Sequence, residues 1–343
     1  MSDCFLSALI ASHHRAIVVE GIRSVLNQDL ETDKYEIRVV ADTRLNEFRE
    51  FENNPRVKII YSDRDDPGGQ SVEAIKASKG DVLCFLDDDD MWVSNKLSYV
   101  KEKFDHDDLL GYFHNGHKSV DFSGNIIPDY KELRHYYAVQ KIKEYSELPA
   151  KRGSVNFQHL ASLGAPFNSS CISIRKSLVV PYLDYLSRGK WMVDYFWFYA
   201  FAVSLTRILI EETPLTLYRR RPDIIGERLN NIENGKDQKI EIYRRYLSSH
   251  EIYKAMGNGL EISTYFDWII AKIKIILTIY STTNYDVENK SIISELIRNI
   301  PLNNFNSISS TMLLVFAYLI RIISRRLSMI FLISLERLKL SVL

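Results

Sequence analysis

Apolar runs without polar alternation recur along the first quarter of the chain, separated by segments with helical periodicity. Such runs are typical of strands buried on both faces of a parallel sheet. They predict strands at Phe5 to Ala11, Tyr35 to Ala41, Val57 to Tyr61 and Val82 to Leu86. A helix is predicted over Val18 to Leu26, and a shorter one over Ser71 to Ser78 after a break at Pro67 to Gly69. This alternation predicts an α/β fold with a mostly parallel central sheet flanked by helices.

Polar side chains stand where three of these predicted strands end. Ser12 follows the first strand, Asp42 the second, and Asp87 to Asp90 the fourth. Because ligands of open α/β sheets bind at the carboxyl ends of the strands, we expect these side chains to border one crevice. Four adjacent carboxylates repel one another, and a hard divalent cation with all-oxygen ligands would neutralise them. A solvated acidic turn is the alternative, but it does not account for the buried strand before the cluster.

Charge is unevenly distributed, although the net charge is zero over 343 residues. The first 130 residues hold 15 basic and 25 acidic residues, and the remainder holds 29 and 19. This asymmetry indicates a metal-using first part and a second part that meets an anionic group, such as a diphosphate or a lipid surface. No motif indicates a nucleic-acid partner. The three cysteines lie in apolar runs and are expected to be free thiols in a reducing compartment.

One carboxylate, Asp194, lies in an aromatic segment that begins at Lys190 and reads KWMVDYFWF. Desolvation by Trp191, Tyr195 and Trp197 is expected to raise its pKa toward that of a useful general base. The alternative is an aspartate in the first turn of a helix, stabilised by the helix dipole.

Several segments together resemble a known family. They are SALIASHHR from Ser7, SVLNQ from Ser24, EIRVVAD from Glu36, and KGDVLCFLDDDDMW from Lys79 with NKL behind it. In combination these segments resemble family 2 glycosyltransferases of the GT-A fold. The resemblance is close up to about Leu110 and continues in weaker form to about Arg221. It implies a GT-A domain over residues 1–222. After Pro222 the pattern changes to apolar and charged helical segments, which predicts a helical region over 223–343.

The resemblance also implies an activity and a set of site residues. Members of the family transfer a sugar from a nucleotide-diphosphate donor to an acceptor hydroxyl, usually with inversion, and use manganese or magnesium. The match implies donor-binding roles for Ser12, His13, Arg15, Asp42, Gly69, Asp87, Asp88, Arg219 and Arg221. It implies Asp87 and Asp89 as metal ligands, being the acids of the family's DxD motif. Asp194 matches the catalytic base, and the expected acceptor-side residues are Asn168, Ser169 and Trp191. The acceptor would be a glycan or a lipid-linked glycan.

The paired histidines, His13 and His14, are also candidate metal ligands. Neighbouring residues on an extended segment point to opposite faces, so at most one of the two rings is expected to reach the site.

The last third of the chain is rich in apolar helical patterns. Residues 311–343 are apolar on most sides with a basic stripe that includes Arg321 and Arg325, which is typical of a helix lying in a membrane interface. No stretch is long and apolar enough to predict a bilayer span. We therefore expect a cytoplasmic protein, peripheral on the cytoplasmic face of the membrane. Packing on the transferase domain or in a homo-oligomer is the alternative.

Two other function classes stay open on sequence grounds. A nucleotidyltransferase would use a similar sheet and similar acids, but its glycine-rich first loop has no counterpart in Ser12 to Arg15. A non-catalytic sugar-nucleotide-binding protein would fit if Val193, which stands where the family has the first acid of a pair, marked the loss of that pair.

Overall fold

The structure is a computed structural model that describes residues 5–127, 144–220, 234–280, 296–300, 305–323, 328 and 331–332. The chain forms two compact units. One unit holds Met1–Lys131 and His135–Arg221, and the other holds Glu132–Arg134 and Pro222–Leu343.

A sheet of nine strands, counted over the described residues, forms the centre of the first unit. Its strands are β1 (Leu6–Ser12), β2 (Tyr35–Ala41), β3 (Val57–Tyr61), β4 (Val82–Asp87), β5 (Met91–Trp92), β6 (Leu110–Val120), β7 (Glu144–Glu147), β8 (Ile172–Arg175) and β9 (Arg207–Arg219). The spatial order is β3-β2-β1-β4-β8-β6-β9-β5, and β7 pairs with β9.

The sheet is mixed. Strands β3, β2, β1 and β4 run parallel to one another, as their apolar runs predict. Strand β8 is antiparallel to β4 and β6, and the long strand β9 is parallel to β6 but antiparallel to β5 and β7. The parallel half therefore gathers the ends of β1, β2 and β4 at one edge.

Helices flank this sheet. They are α1 (Val18–Leu26), α2 (Pro67–Ala77), α3 (Lys96–His106), α4 (Phe157–Ser162), α5 (Lys176–Val179), α6 (Leu183–Gly189) and α7 (Val193–Ala202). Helix α1 buries Val18, Ile22 and Val25 in the same hydrophobic cluster as the apolar residues of β1, β2 and β4. The helical spacing of these residues in the sequence thus corresponds to the face that packs on the sheet. Cys84 and Cys171 are buried free thiols.

Helix α2 begins earlier than predicted. The sequence predicts a chain break at Pro67, Gly68 and Gly69, but these residues form the first turn of the helix. Asp66 caps this turn, since its carboxylate accepts the Gly69 N–H at 2.7 Å, and proline fits a first helical position because its missing N–H is not needed there. Gly68 donates its N–H to the Lys190 carbonyl at 2.8 Å, and a Cβ at Gly68 would lie 2.7 Å from the Leu186 carbonyl oxygen. Glycine is required here because α2 approaches the end of α6 so closely.

The described part of the second unit is helical. Its main helices are α8 (Asn234–Lys254), α9 (Ser263–Tyr280) and α10 (Phe305–Ile323). Lys254 pairs with Asp267 between α8 and α9, and Trp268 Nε1 donates to Thr311 Oγ1 at 3.1 Å between α9 and α10. None of the described helices is long and apolar enough to cross a bilayer.

Candidate active site

The polar residues predicted to border a crevice do meet at one edge of the sheet. Ser12 pairs with Ala41, next to Asp42, and Ala11 pairs with Asp87. The parallel register of β1, β2 and β4 therefore brings the three strand ends to one level, at the edge where ligands of such sheets bind.

Beside these strand ends lies a cavity of about 280 Å³. Seven of the predicted site residues line it, namely His13, Arg15, Asp87, Asp88, Asp89, Ser169 and Trp191. Its apolar wall includes Phe85 and Trp197, whose rings stack with centroids 4.0 Å apart. An acidic end and an aromatic wall in one cavity suit a ligand with both charged and apolar faces.

The four consecutive aspartates have separate environments. Asp88 accepts the His13 N–H at 2.9 Å and the Arg15 guanidinium at 2.7 Å, so it organises the turn that follows β1. Arg15 also lies 3.6 Å from Asp89. Arg15 thus supplies the positive charge between two of the four carboxylates.

Asp90 is turned into the protein and is almost fully buried. Its carboxylate accepts Ser170 Oγ at 2.7 Å, Asn168 Nδ2 at 3.1 Å and the Arg219 backbone N–H at 2.8 Å. Burial still raises its pKa to about 6. These contacts make Asp90 the residue that joins β4 to the 168–170 segment and to the end of β9.

Asp87 and Asp89 are the two members of the cluster with strongly raised pKa values that also line the cavity. Burial and the charges of the other acids raise the pKa of Asp87 well above its ordinary value and that of Asp89 to about 7. Carboxylates held together at this cost are stabilised by a cation placed between them. Their oxygen ligands and cavity position fit a hard divalent metal.

Asp194 lies in the first turn of α7, directly after Val193, which lines the cavity. Burial raises its pKa to about 6, although its carboxylate accepts the Tyr195 N–H at 2.9 Å. Asp194 therefore lies in the first turn of a helix and also has a raised pKa. The positive end of the helix dipole would lower this pKa, but desolvation of the carboxylate has the larger effect. The charge of Asp194 also contributes to the raised pKa of Asp87, so the two groups interact electrostatically.

Of the three predicted acceptor-side residues, one holds Asp90 in place and two line the cavity. Asn168 has a left-handed backbone (φ 63°), and its amide donates to Asp90. Ser169 and Trp191 line the cavity, and Trp197 Nε1 donates to Ser169 Oγ at 3.4 Å.

The side chain of Arg219, for which the family match implies a donor-binding role, points into the protein and does not line the cavity. Its guanidinium donates to the Asp89 carbonyl at 2.8 Å, to the Phe122 carbonyl and to Glu20 at 2.5 Å, with its side chain almost fully buried. Arg219 therefore holds the backbone of the aspartate segment from the protein interior. Arg221 lies outside the described residues.

Two other predicted donor-binding residues have structural partners. Gly69 donates its N–H to Asp66, and the Arg64 guanidinium fills the space beside it. Ser12 is buried, and its carbonyl accepts Gln70 Nε2 at 3.3 Å. Gln70 lines the cavity and was not predicted, since a glutamine within a helical segment carries no distinctive sequence signal.

Both histidine rings lie against Asp42, while of the two His13 lines the cavity and His14 does not. His14 has a left-handed backbone (φ 53°), which ends the alternation of an extended segment. His13 Nδ1 contacts Asp42 Oδ2, and His14 Nε2 lies 3.6 Å from the same oxygen. Ligand atoms of these three residues all lie within 4.8 Å of one another.

Lys96 is a second residue that the sequence does not single out as part of the site. It is fully buried at the start of α3, and its Nζ donates to the Ser170 carbonyl at 2.6 Å and to Asn115 Oδ1 at 2.8 Å. Burial lowers its pKa to about 8. In the sequence Lys96 belongs to a predicted helix start behind the aspartate cluster, and no local pattern indicates that its ammonium group is buried.

Comparison with known proteins supports the fold and a catalytic class. Residues 7–171 match the profile described as Glycosyl transferase family 2. An uncharacterized glycosyltransferase of Rickettsia bellii is 26% identical over 146 residues, which cover 37% of this chain and 21% of the relative. An uncharacterized glycosyltransferase of a Nostoc strain is 30% identical over 117 residues, covering 32% of this chain and 36% of the relative. The matches thus span about a fifth to a third of these relatives' own length.

Solved structures extend the likeness over most of the chain at the level of fold. The crystal structure of S. aureus TarS 1-349 has a TM-score of 0.54 and 14% identity, covering 87% of this chain and 81% of TarS 1-349. TarS 1-349 in complex with UDP-GlcNAc has a TM-score of 0.52 and 16% identity, covering 86% and 80%. A mixed sheet flanked by helices, a helical C-terminal part and these neighbours agree with the GT-A fold that the sequence predicts. Together, the profile match over residues 7–171 and the glycosyltransferase relatives support a family 2 glycosyltransferase.

Proposed function

We propose that this protein is a metal-dependent, inverting glycosyltransferase that moves a sugar from a nucleoside-diphosphate donor to an acceptor hydroxyl. The observation that carries the proposal is the position of Asp87 and Asp89 in the cavity, close to the start of the helix that holds Asp194. Asp87 and Asp89 line the cavity, and Asp194 interacts with Asp87 from the helix that begins at Val193. This arrangement provides an electrostatic site for a leaving group and a base beside it.

The donor diphosphate is proposed to bind at Asp87 and Asp89 through a divalent metal, manganese or magnesium. Two carboxylates do not complete the coordination of such an ion, and substrate phosphate oxygens commonly supply further ligands. When bound, the metal would neutralise charge on the departing diphosphate. Asp88 and Arg15 hold the turn after β1 against this site.

Asp194 is proposed as the general base. It would accept the proton of the acceptor hydroxyl while that oxygen attacks the anomeric carbon from the side opposite the diphosphate. A pKa of about 6 leaves the carboxylate ionised at neutral pH and more basic than an exposed aspartate. A single displacement of this kind inverts the anomeric configuration.

The base of the donor nucleotide is proposed to lie toward Asp42, at the end of β2. The side chain of Asp42 is mostly buried, and the turn carrying His13 and His14 covers it. The fold is shared with a TarS structure in complex with UDP-GlcNAc, which makes uridine donors the first to test.

Membrane attachment is a separate proposal. Met312, Phe316 and Leu319 follow one another at helical spacing on α10, and each is about half exposed. Apolar side chains along one helix face, in a region of net positive charge, suit the surface of an anionic bilayer. We propose that this face holds the protein on the cytoplasmic side of the membrane, where a lipid-linked acceptor would be available.

A donor screen tests the proposed activity. Release of nucleoside diphosphate would be measured against a panel of sugar nucleotides, with and without manganese, in the presence of candidate lipid-linked and soluble glycan acceptors. Metal-dependent release with one donor supports the proposal. Donor binding without release under all conditions would favour a non-catalytic binding protein.

A further inference from the structure

We propose that His13, His14 and Asp42 form a zinc-binding site distinct from the Asp87 and Asp89 pair. Among the described residues, these three form a group whose ligand atoms all lie within 4.8 Å of one another. The inference rests on the contacts of these side chains and not on the proposed glycosyl transfer. Because the donor base is also proposed to lie toward Asp42, zinc and the donor would compete for this residue.

The carboxylate of Asp42 is oriented by bonds to one of its two oxygens. Oδ1 accepts the His14 N–H at 3.2 Å and the Thr43 hydroxyl at 3.0 Å. Oδ2 faces both imidazole rings: it accepts a hydrogen bond from His13 Nδ1 and lies 3.6 Å from His14 Nε2. A ligating carboxylate held by its other oxygen is typical of metal sites.

Thr43 also determines which nitrogen of His14 is available. The hydroxyl has a single proton, and because a carboxylate can only accept, this proton goes to Asp42. The Thr43 oxygen then accepts from His14 Nδ1, which is in contact with it. In the neutral ring this leaves a lone pair on Nε2, which lies 3.6 Å from Asp42 Oδ2. A cation placed between this nitrogen and Oδ2 would be ligated by both, and its binding would displace the proton that His13 Nδ1 donates to Oδ2.

The ligand chemistry favours zinc over the hard ions. Two imidazole nitrogens and one carboxylate oxygen make up a zinc set that leaves a fourth position for water, whereas magnesium prefers oxygen ligands throughout. Half or more of each histidine side chain is exposed, so an ion can enter from solvent. The positive φ of His14 brings its ring to this site, and glycine can adopt the same backbone without strain.

The test measures zinc binding to the untagged full-length protein by calorimetry, with excess magnesium present to occupy the oxygen site. We expect one zinc ion per chain and a higher Tm in its presence. His13→Ala and His14→Gly should each weaken zinc binding by about 10- to 100-fold or more, at least the scale typical of residues that support a metal ligand. Thr43→Val should weaken it by about 10-fold, because Thr43 orients the site without being a ligand.

Matched controls separate this site from nonspecific binding. His106→Ala removes an exposed histidine elsewhere and should leave zinc affinity unchanged. Asp89→Asn should also leave it unchanged, because that residue belongs to the oxygen site. Cobalt bound to the wild type should show tetrahedral ligand-field absorption that His14→Gly lacks. Equal zinc affinity in wild type, His13→Ala and His14→Gly would overturn the proposal, as would loss of zinc in Asp89→Asn alone.

Discussion

The ammonium group of Lys96 lies 2.6 Å from the carbonyl oxygen of Ser170, and both residues are buried. The Ser170 hydroxyl in turn donates to Asp90 and accepts the Asp87 N–H at 2.9 Å. A single lysine therefore supports the segment that holds the first and last aspartates of the cluster.

Lys96→Met should destabilise the protein by about 1–3 kcal/mol, because a buried acceptor, Asn115 Oδ1, loses its donor. Chemical denaturation measures this change. Lys118→Met, which alters an exposed lysine of β6, is the control and should have little effect. Equal stability of the Lys96 variant and wild type would show that the buried ammonium is dispensable.

Asp89→Asn should abolish metal-dependent donor binding, since the amide keeps the shape but removes the charge that holds the cation. Calorimetry with a donor nucleotide, with and without manganese, provides the measurement. Asp33→Asn, at an exposed position, is the matched control. A variant that keeps wild-type metal dependence would remove Asp89 from the metal site. Asp88→Asn is a poor control because Asp88 holds the His13 and Arg15 turn.

Asp194→Asn should lower turnover about 10²-fold or more while donor affinity stays near normal, the usual effect of losing a general base. The wild-type rate should also fall as pH drops below about 6, because protonated Asp194 cannot accept a proton. Initial rates against pH, for wild type and the Asp184→Asn control, give both results. Unchanged turnover in Asp194→Asn would contradict its role as base.

Asp89→Asn should also raise the Tm of the metal-free protein, and by more at pH 8 than at pH 5. The pKa of Asp89 is raised from 3.8 to about 7, so the folded state binds its proton more tightly than the unfolded chain. The contribution of protonated Asp89 to the free energy of unfolding is fully present below about pH 4. It is lost as the pH rises through about 7. The asparagine variant avoids this loss.

The effect of pH on Tm must be read as the difference between Asp89→Asn and wild type at each pH. Burial lowers the pKa of His114 to about 4 and of His117 to about 3, which destabilises the folded state as pH falls below the unfolded value of 6.5. These histidines contribute equally to wild type and Asp89→Asn, so their effect cancels in the difference. An equal Tm gain at both pH values would contradict the raised pKa of Asp89.

Replacing Met312, Phe316 and Leu319 together by serine should abolish binding to anionic lipid vesicles while leaving donor binding intact. Vesicle sedimentation at low and high salt measures the bound fraction. Ile242→Ser, at an exposed apolar position on α8, is the control. Wild-type protein that stays in the supernatant would exclude the lipid surface as the partner of this face.

Much of the framework follows from the sequence because its signals are local. The strands β1 to β4 are uninterrupted apolar runs, and the side chains that end them must meet if the strands are parallel. The raised pKa of Asp194 can be predicted from the sequence because its aromatic neighbours desolvate the carboxylate.

The division of labour within the aspartate cluster could not be predicted in the same way. The four residues are identical in the sequence, and their environments depend on partners far along the chain: Arg15 for Asp88, and Ser170 and Arg219 for Asp90. The left-handed turn at His14 and the inward direction of Arg219 likewise depend on tertiary contacts. Local sequence patterns carry no record of such contacts.

The close approach at Gly68 limits how this protein could be re-engineered. Its N–H is bonded to the carbonyl of Lys190, in the short turn that leads into Val193 and Asp194. Libraries that vary residues 190–193, which include the predicted acceptor-side residue Trp191, would therefore also sample the docking of α2. Libraries that keep the Gly68 contact unchanged should retain more folded members.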